Sequence, residues 1–266
     1  MTSNGENMWP YPRALAHRGG GTLAPENTLA GFRTGLQFGY RAAEFDVMLT
    51  RDEVPILMHD PQRGRTLPGT GAIADADWAE LRELDAGAWH GPAFAGERIC
   101  TLEQGLAFCS AHGIWMNVEI KPASPVQARR TGELTALAVA RHCATLLQTL
   151  RNGGEGAAQL PVLSSFSFEA LLAARDAAPE LPRGFLVDVI PADWEARLVQ
   201  LGAVALHTNH KHLTRDQAQQ ITAAGYGLFC YTVNDPGRAT EIAGWGVDGF
   251  CTDRIDLIDA AAWVGR

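Results

Sequence analysis

Glu44 and Asp46 stand two residues apart in the run EFDVMLTRDEVPILMHD (44–60), which His59 and Asp60 close. Alternate side chains of an extended strand share a face, so these two carboxylates project together while Phe45 and Val47 project the other way. The same parity recurs in WMNVEIKP, where Glu119 and Lys121 share one face and Val118 and Ile120 the other. Like charges side by side on an apolar strand repel and resist burial. Three carboxylates brought together from two strands would oppose one another by several kcal/mol at close range. A divalent cation removes that repulsion, and a donor set made only of oxygens selects Mg2+ or Ca2+ over zinc. His17 ends the run ALAHRG and His59 ends VPILMH; imidazoles titrating near neutrality can supply and remove protons there. Each piece alone has a plainer reading. Glu44 and Asp46 could face solvent from an edge strand, Glu119 and Lys121 could form a surface ion pair of little consequence, and a lone strand-end histidine is more often structural. Charged residues that all fall at strand ends, with the parity of one face, favour a shared site.

The elements that must position these groups alternate between two types. Strand-like runs are expected at 14–19, 42–49, 54–59, 114–121, 161–166, 183–189, 203–208, 226–233 and 247–253. Ala- and Leu-rich helical stretches lie between most of them, such as NTLAGFRTGLQFG, TLEQGLAFCSAHG, TGELTALAVARHCATLLQTL, SFEALLAARDAAPE and RDQAQQITAAG. This repetition predicts an α/β fold with a parallel sheet, and eight or nine strands in 266 residues favour a single (β/α)8 TIM barrel domain spanning 1–266. An open dinucleotide-binding sheet is the alternative, but the Gly-rich HRGGGTLAPEN has no G-x-G-x-x-G and carries Pro where the helix should begin. The stretch from 60 to 100 breaks the rhythm with Gly, Pro, Asp and Trp and one short helical piece near DADWAELREL. It reads as an insertion after the third strand run, over one barrel face. The short turn TRDE allows runs 42–49 and 54–59 to be either parallel strands or a hairpin. In a barrel of this kind reactive groups gather at the carboxyl ends of the strands. There His207 ends AVALH and is a candidate substrate contact, weighed equally against a structural role, while Phe166, Tyr231 and Asn234 fall at expected mouth positions as pocket lining. Glu26 and Asn27 either orient His17 or cap the first helix. Asp248 and Asp253 are read as holding the last strand–helix turn.

Composition narrows the partners. Hydrophobic residues make up 46% and charged residues 20% of the chain, as in ordinary globular proteins. A formal charge of -8 with no Lys/Arg stripe argues against nucleic acid, and no polybasic segment is present for anionic lipid. Five scattered cysteines without C-x-x-C spacing make neither a disulfide framework nor a zinc site. No apolar run approaches the ~20 residues of a membrane span, and the amino-terminal MTSNGENMWPYPR lacks the regions of a signal peptide. A cytoplasmic protein acting on a small molecule is expected, without nucleic acid or membrane as partner and with a homo-oligomer left open.

Taken together, AHRGGGTLAPENTLAGF, EFDVMLTRDEVPILMHD, DAGAW…FAGERICTLEQ, NVEIKP, LSSFSFEAL, YTVND and WGVDGFCTD resemble the glycerophosphodiester phosphodiesterase family, in collinear order over almost the whole chain. The absent signal sequence makes the chain similar to the cytosolic bacterial branch. The resemblance implies metal ligands at Glu44, Asp46 and Glu119, acid/base histidines at His17 and His59, and phosphate contacts at Arg18 and Lys121. It implies metal-dependent hydrolysis of glycerophosphodiesters to sn-glycerol 3-phosphate and an alcohol. Two positions depart from the family pattern: Tyr231 stands where Trp is usual, and Cys100 replaces the usual Pro. The rival readings are a lysophospholipase D-type enzyme, which should carry an apolar interfacial patch, and a catalytically inactive phosphodiester-binding barrel.

Overall fold

The computed structural model describes residues 9–263, so residues 1–8, on which most of the leader reading rests, lie outside the described residues. Among the described residues nine strands form: β1 (Ala14–Ala16), β2 (Ala42–Leu49), β3 (Pro55–Leu57), β4 (Trp115–Ile120), β5 (Val162–Ser165), β6 (Arg183–Val187), β7 (Ala205–Asn209), β8 (Gly227–Tyr231) and β9 (Gly249–Thr252). Eight of them run parallel and close into a ring, because β1 pairs with both β2 and β9. The open-sheet alternative is thereby excluded. β3 is the exception: it pairs antiparallel with β2, Val47 opposite Leu57 and Leu49 opposite Pro55. Runs 42–49 and 54–59 are therefore a hairpin, and β3 stands outside the ring.

Around the ring lie α1 (Leu29–Gln37), α2 (Trp78–Leu81), α3 (Leu102–Ala111), α4 (Ala128–His142), α5 (Ala144–Arg151), α6 (Phe168–Ala177), α7 (Trp194–Leu201), α8 (Arg215–Ala223) and α9 (Pro236–Ala243). Their starts are written locally. Thr28 Oγ1 accepts from Gly31 N at 3.1 Å, Ser167 Oγ accepts from Ala170 N at 3.2 Å, and Thr101 and Thr214 form capping boxes with Gln104 and Gln217. Among the described residues no helix is long and apolar enough to cross a membrane.

Helices α4 and α6 meet at Gly132, where an added Cβ would lie 2.0 Å from the Ala170 carbonyl oxygen. Relieving that overlap requires backbone to move, and overpacking of this kind costs ~1–3 kcal/mol or more, against ~1 kcal/mol gained in helix propensity. Gly132→Ala is expected to lower the thermal midpoint by about 2–8 °C. An unchanged or raised midpoint in thermal denaturation would show that the two helices are not locked at this point.

The insertion has a small core of its own. Met48, Ile56 and Met58 of the hairpin pack with Leu67, Ile73, Leu81 and Ile99. This cluster holds β3 against β2, and Leu57 N bonds Cys100 O at 2.9 Å on the other side. The opposite end of the barrel is stoppered by aromatic rings: Trp9 packs on Tyr11 and Phe229 at 5.0 and 5.7 Å, and Tyr11 on Trp115 at 5.0 Å.

Candidate active site

Strand parity sends the polar residues inward. In register, Glu44 lies beside Asn117, Asp46 beside Glu119, and Glu119 beside Ser164. The carboxylate oxygens of Glu44, Asp46 and Glu119 come within 4.8 Å of one another, the arrangement of a metal-holding cluster. They line a cavity of about 310 Å3 at the barrel mouth together with His17, Arg18, His59, Asn117, Lys121, Phe166, His207 and Tyr231.

These carboxylates fit a cation. Burial first, then the neighbouring Asp46 charge, pushes Glu44 up to about 7 and Glu119 up to about 8. Burial also acts on Asp46, but the charges of Lys121 and Arg18, helped by His59 and the Asn27 amide, hold it below the usual range. The Lys121 ammonium is 3.6 Å from Asp46 and 3.3 Å from Glu119, and Arg18 Nε is 3.6 Å from Asp46. Three carboxylates thus face two fixed cations. Glu44 Oε1 and Asn117 Oδ1 are buried without a hydrogen-bond partner, an arrangement that costs free energy unless something occupies the space they face. All of these donors are oxygens, as a hard divalent ion requires.

Each histidine is turned by its own aspartate. His17 Nδ1–H donates to Asp253 Oδ1 at 2.5 Å, which directs Nε2 towards Glu44 at 3.7 Å. His59 Nδ1–H donates to Asp60 Oδ1 at 2.6 Å. Burial works against the charged His17, but Asp253 and Glu44 outweigh it and raise its pKa. For His59 burial prevails and the pKa falls. Asp60 is held down to about 2, chiefly by its bond to Arg65.

The loop after β1 is tied to this chemistry by its backbone. Arg18 and Asn27 both have positive φ, 51° and 57°, a conformation that a non-glycine residue holds only when its surroundings enforce it. Arg18 N donates to Glu44 Oε2 at 3.1 Å, and Asn27 N to Arg18 O at 3.0 Å. Asn27 then grips Asp46 twice: its amide donates to Oδ2 at 2.9 Å and its carbonyl accepts from Asp46 N at 3.0 Å. Neither Asn27 nor Glu26 orients His17 or caps α1. Thr28 is the cap, and Glu26 bonds Arg18 at 2.8 Å and Arg65 at 2.6 and 2.7 Å.

The remaining sequence candidates are dispersed in role. Phe166 and Tyr231 both reach the cavity and pack edge to face at 5.5 Å, with the Tyr231 hydroxyl donating to Val187 O at 2.9 Å. His207 lies in the cavity floor at 0% exposure, its two ring nitrogens unpartnered, and burial lowers its pKa to about 3. Asn234 is not among the lining residues. Its side chain bonds Asp253 and Thr252 and so braces the aspartate that turns His17. Asp248 does not hold the strand–helix turn: it precedes β9 and accepts from Leu228 N of β8 at 2.9 Å, a bond between neighbouring strands. Arg65 and Asn117 were absent from the sequence reading, which named Asp60 only as the end of the 44–60 run and Asp253 only as a turn residue. The parity that marks Glu119 also marks Asn117, whereas the pairing of Asp253 with His17 spans 236 residues and has no local signal.

Comparison with known proteins places the chain in a family. Residues 17–257 match the model of the glycerophosphoryl diester phosphodiesterase family. The chain is 30% identical to a provisionally named glycerophosphodiester phosphodiesterase of Bacillus subtilis, over 92% of this chain and 95% of that protein. It is 29% identical to the glycerophosphodiester phosphodiesterase of Caldanaerobacter subterraneus, over 90% and 93%. Among solved structures, an Oleispira antarctica phosphodiesterase, determined with its product sn-glycerol-3-phosphate, superposes with a TM-score of 0.81 at 34% identity, covering 94% of this chain and 97% of that one. The chain belongs to the glycerophosphoryl diester phosphodiesterase family and is an enzyme of that class.

Proposed function

We propose that the barrel hydrolyses glycerophosphodiesters to sn-glycerol 3-phosphate and an alcohol with the help of a divalent cation, Mg2+ or Ca2+. The observation that carries this reading is the meeting, in one cavity, of three carboxylates, two basic side chains and two aspartate-turned histidines. Glu44, Asp46 and Glu119 would hold the cation, with Asn117 Oδ1 beside them. Such an ion, when bound, polarises a phosphoryl oxygen and offsets charge developing on it. Arg18 and Lys121 offer the phosphodiester its hydrogen-bond donors and fixed positive charge. Charge balance supports the pairing. Three carboxylates and two basic groups sum to -1, a divalent ion brings this to +1, and a phosphodiester monoanion restores neutrality.

One of His17 and His59 takes the proton of the attacking hydroxyl, a P–O bond forms, the P–O bond to the alcohol breaks, and the other histidine returns a proton to the departing oxygen. The attacking hydroxyl belongs to water or to the substrate's own glycerol 2-position, the latter giving a cyclic phosphate that water then opens. Release of sn-glycerol 3-phosphate from glycerophosphocholine is the test. Appearance of phosphocholine instead, or no product at all, would overturn the reading.

The cavity also sets an expectation for selectivity. Its polar groups suit the phosphate and the glycerol hydroxyls, and its Phe166 and Tyr231 rings pack edge to face on each other instead of walling a cage for a quaternary ammonium. Glycerophosphocholine, glycerophosphoethanolamine and glycerophosphoglycerol are expected to show kcat/KM values within about tenfold, ~1.4 kcal/mol of transition-state discrimination. Diesters lacking glycerol, and lysophospholipids, are expected to be much slower. Initial rates on this panel decide the point, and one head group favoured by orders of magnitude would contradict it.

A further inference from the structure

Beside the catalytic cavity runs a second depression of about 450 Å3, walled by the segments after β4 and β5. The two spaces share Glu119, Lys121 and Phe166, so a molecule whose phosphorus sits against Lys121 can extend into either. We propose that the alcohol half of the diester lies in this groove, and that the groove selects alcohols by apolar contact rather than by hydrogen bonds. This rests on the phosphodiesterase reading above.

The chemistry of the walls carries the inference. Pro122, Ala123, Pro125 and Phe166 face the groove. Phe166 is 47% exposed, and the turn bearing Pro125 also carries Val126 at 94% exposure. Two of the three serine hydroxyls on the groove walls, those of Ser165 and Ser167, are already engaged, which leaves only that of Ser124 to meet a polar head group. Ser165 Oγ donates to Ile120 O at 2.5 Å and accepts from Ser167 N at 3.0 Å, while Ser167 Oγ caps α6. Glu169 at the far end is paired with Arg129 at 3.2 Å. The catalytic cavity, by contrast, keeps unpartnered polar atoms on Glu44 and Asn117. A diester with one hydroxyl-rich arm and one variable arm therefore has a single favourable orientation, with glycerol in the polar cavity and the alcohol in the groove.

The experiment uses esters of sn-glycerol 3-phosphate with methanol, butanol and hexanol, assayed with the intact protein. kcat/KM is expected to rise about two- to fourfold per methylene up to the length the groove accommodates. Ser124→Trp, which fills the groove, and Phe166→Ala, which removes its shared wall, are expected to flatten the hexyl-to-methyl ratio. That ratio is internal to each variant, so an overall loss of activity does not disturb it, and the wild-type series stands even where a variant fails to fold. A methyl ester turned over at the same rate as the hexyl ester by the wild-type protein overturns the groove proposal alone. No turnover of any ester overturns the phosphodiesterase reading itself. A slope retained in both folded variants, or a preference for alkyl chains placed on the glycerol instead, places the alcohol elsewhere and rejects the groove.

Discussion

Removal of divalent cations is expected to abolish turnover, and Mg2+ or Ca2+ to restore it. Glu44, Asp46 and Glu119 lie too close together, and too deeply buried, to carry three charges unaided, which is why two of them are pushed up to about 7 and about 8. An ion that binds only the folded protein stabilises it by ~2.7 kcal/mol at a hundred times its dissociation constant. For a chain of this size that is a rise of roughly 5–10 °C in thermal midpoint, readable without any activity assay. Glu119→Gln removes one charged ligand; it is expected to weaken this thermal response and to lower kcat by about 100-fold or more. Full turnover in thorough chelator, with no metal found by elemental analysis, would remove the cation from the mechanism.

His17→Ala and His59→Ala are each expected to lower kcat by at least ~10²-fold, the scale of positioned proton transfer. The fold should persist, since both rings lie at the mouth and not in the apolar core. A nitrophenyl ester has a leaving group that needs little protonation, so it should rescue the variant that lost the general acid and leave the other impaired. Equal response of both variants would mean that the histidines do not divide the roles. Asp253→Asn and Asp60→Asn should reproduce part of each loss in kcat with KM largely kept, because these carboxylates turn the rings without lining the cavity themselves. A loss confined to KM would show that they act on substrate binding.

Much of this architecture was legible in the sequence because it is carried by local periodicity. All nine strand-like runs overlap strands, and β2 spans the expected residues 42–49. The parity of Glu44 with Asp46, and of Glu119 with Lys121, follows from the pleat alone and places these side chains on the inner face. The hairpin was not legible. A short turn after β2 serves either geometry, and what decides it is the packing of Met48 and Ile56 against Leu67, Ile73 and Ile99, which lie beyond both strands. The break between α4 and α5 at Cys143 has no Gly or Pro to announce it. Likewise, Arg65 sits in a stretch with no periodicity, yet it joins Asp60 to Glu26 and hence the neighbour of one histidine to the neighbour of Arg18. Such links depend on how the insertion folds over the mouth, and spacing within the chain does not encode them.

The pairing of His17 with Asp253 also has a meaning in time. The three carboxylates and both histidines leave the ribosome within the first half of the chain, but the group that turns His17 follows 236 residues later, on the segment after the strand that closes the ring. At synthesis rates of roughly 5–20 residues per second this is an interval of about 10–50 s. Glu44, Asp46 and Glu119 are all made within this interval, and His17 has no aspartate to turn it until the interval ends. The orientation of His17 is therefore acquired last, together with closure of the ring.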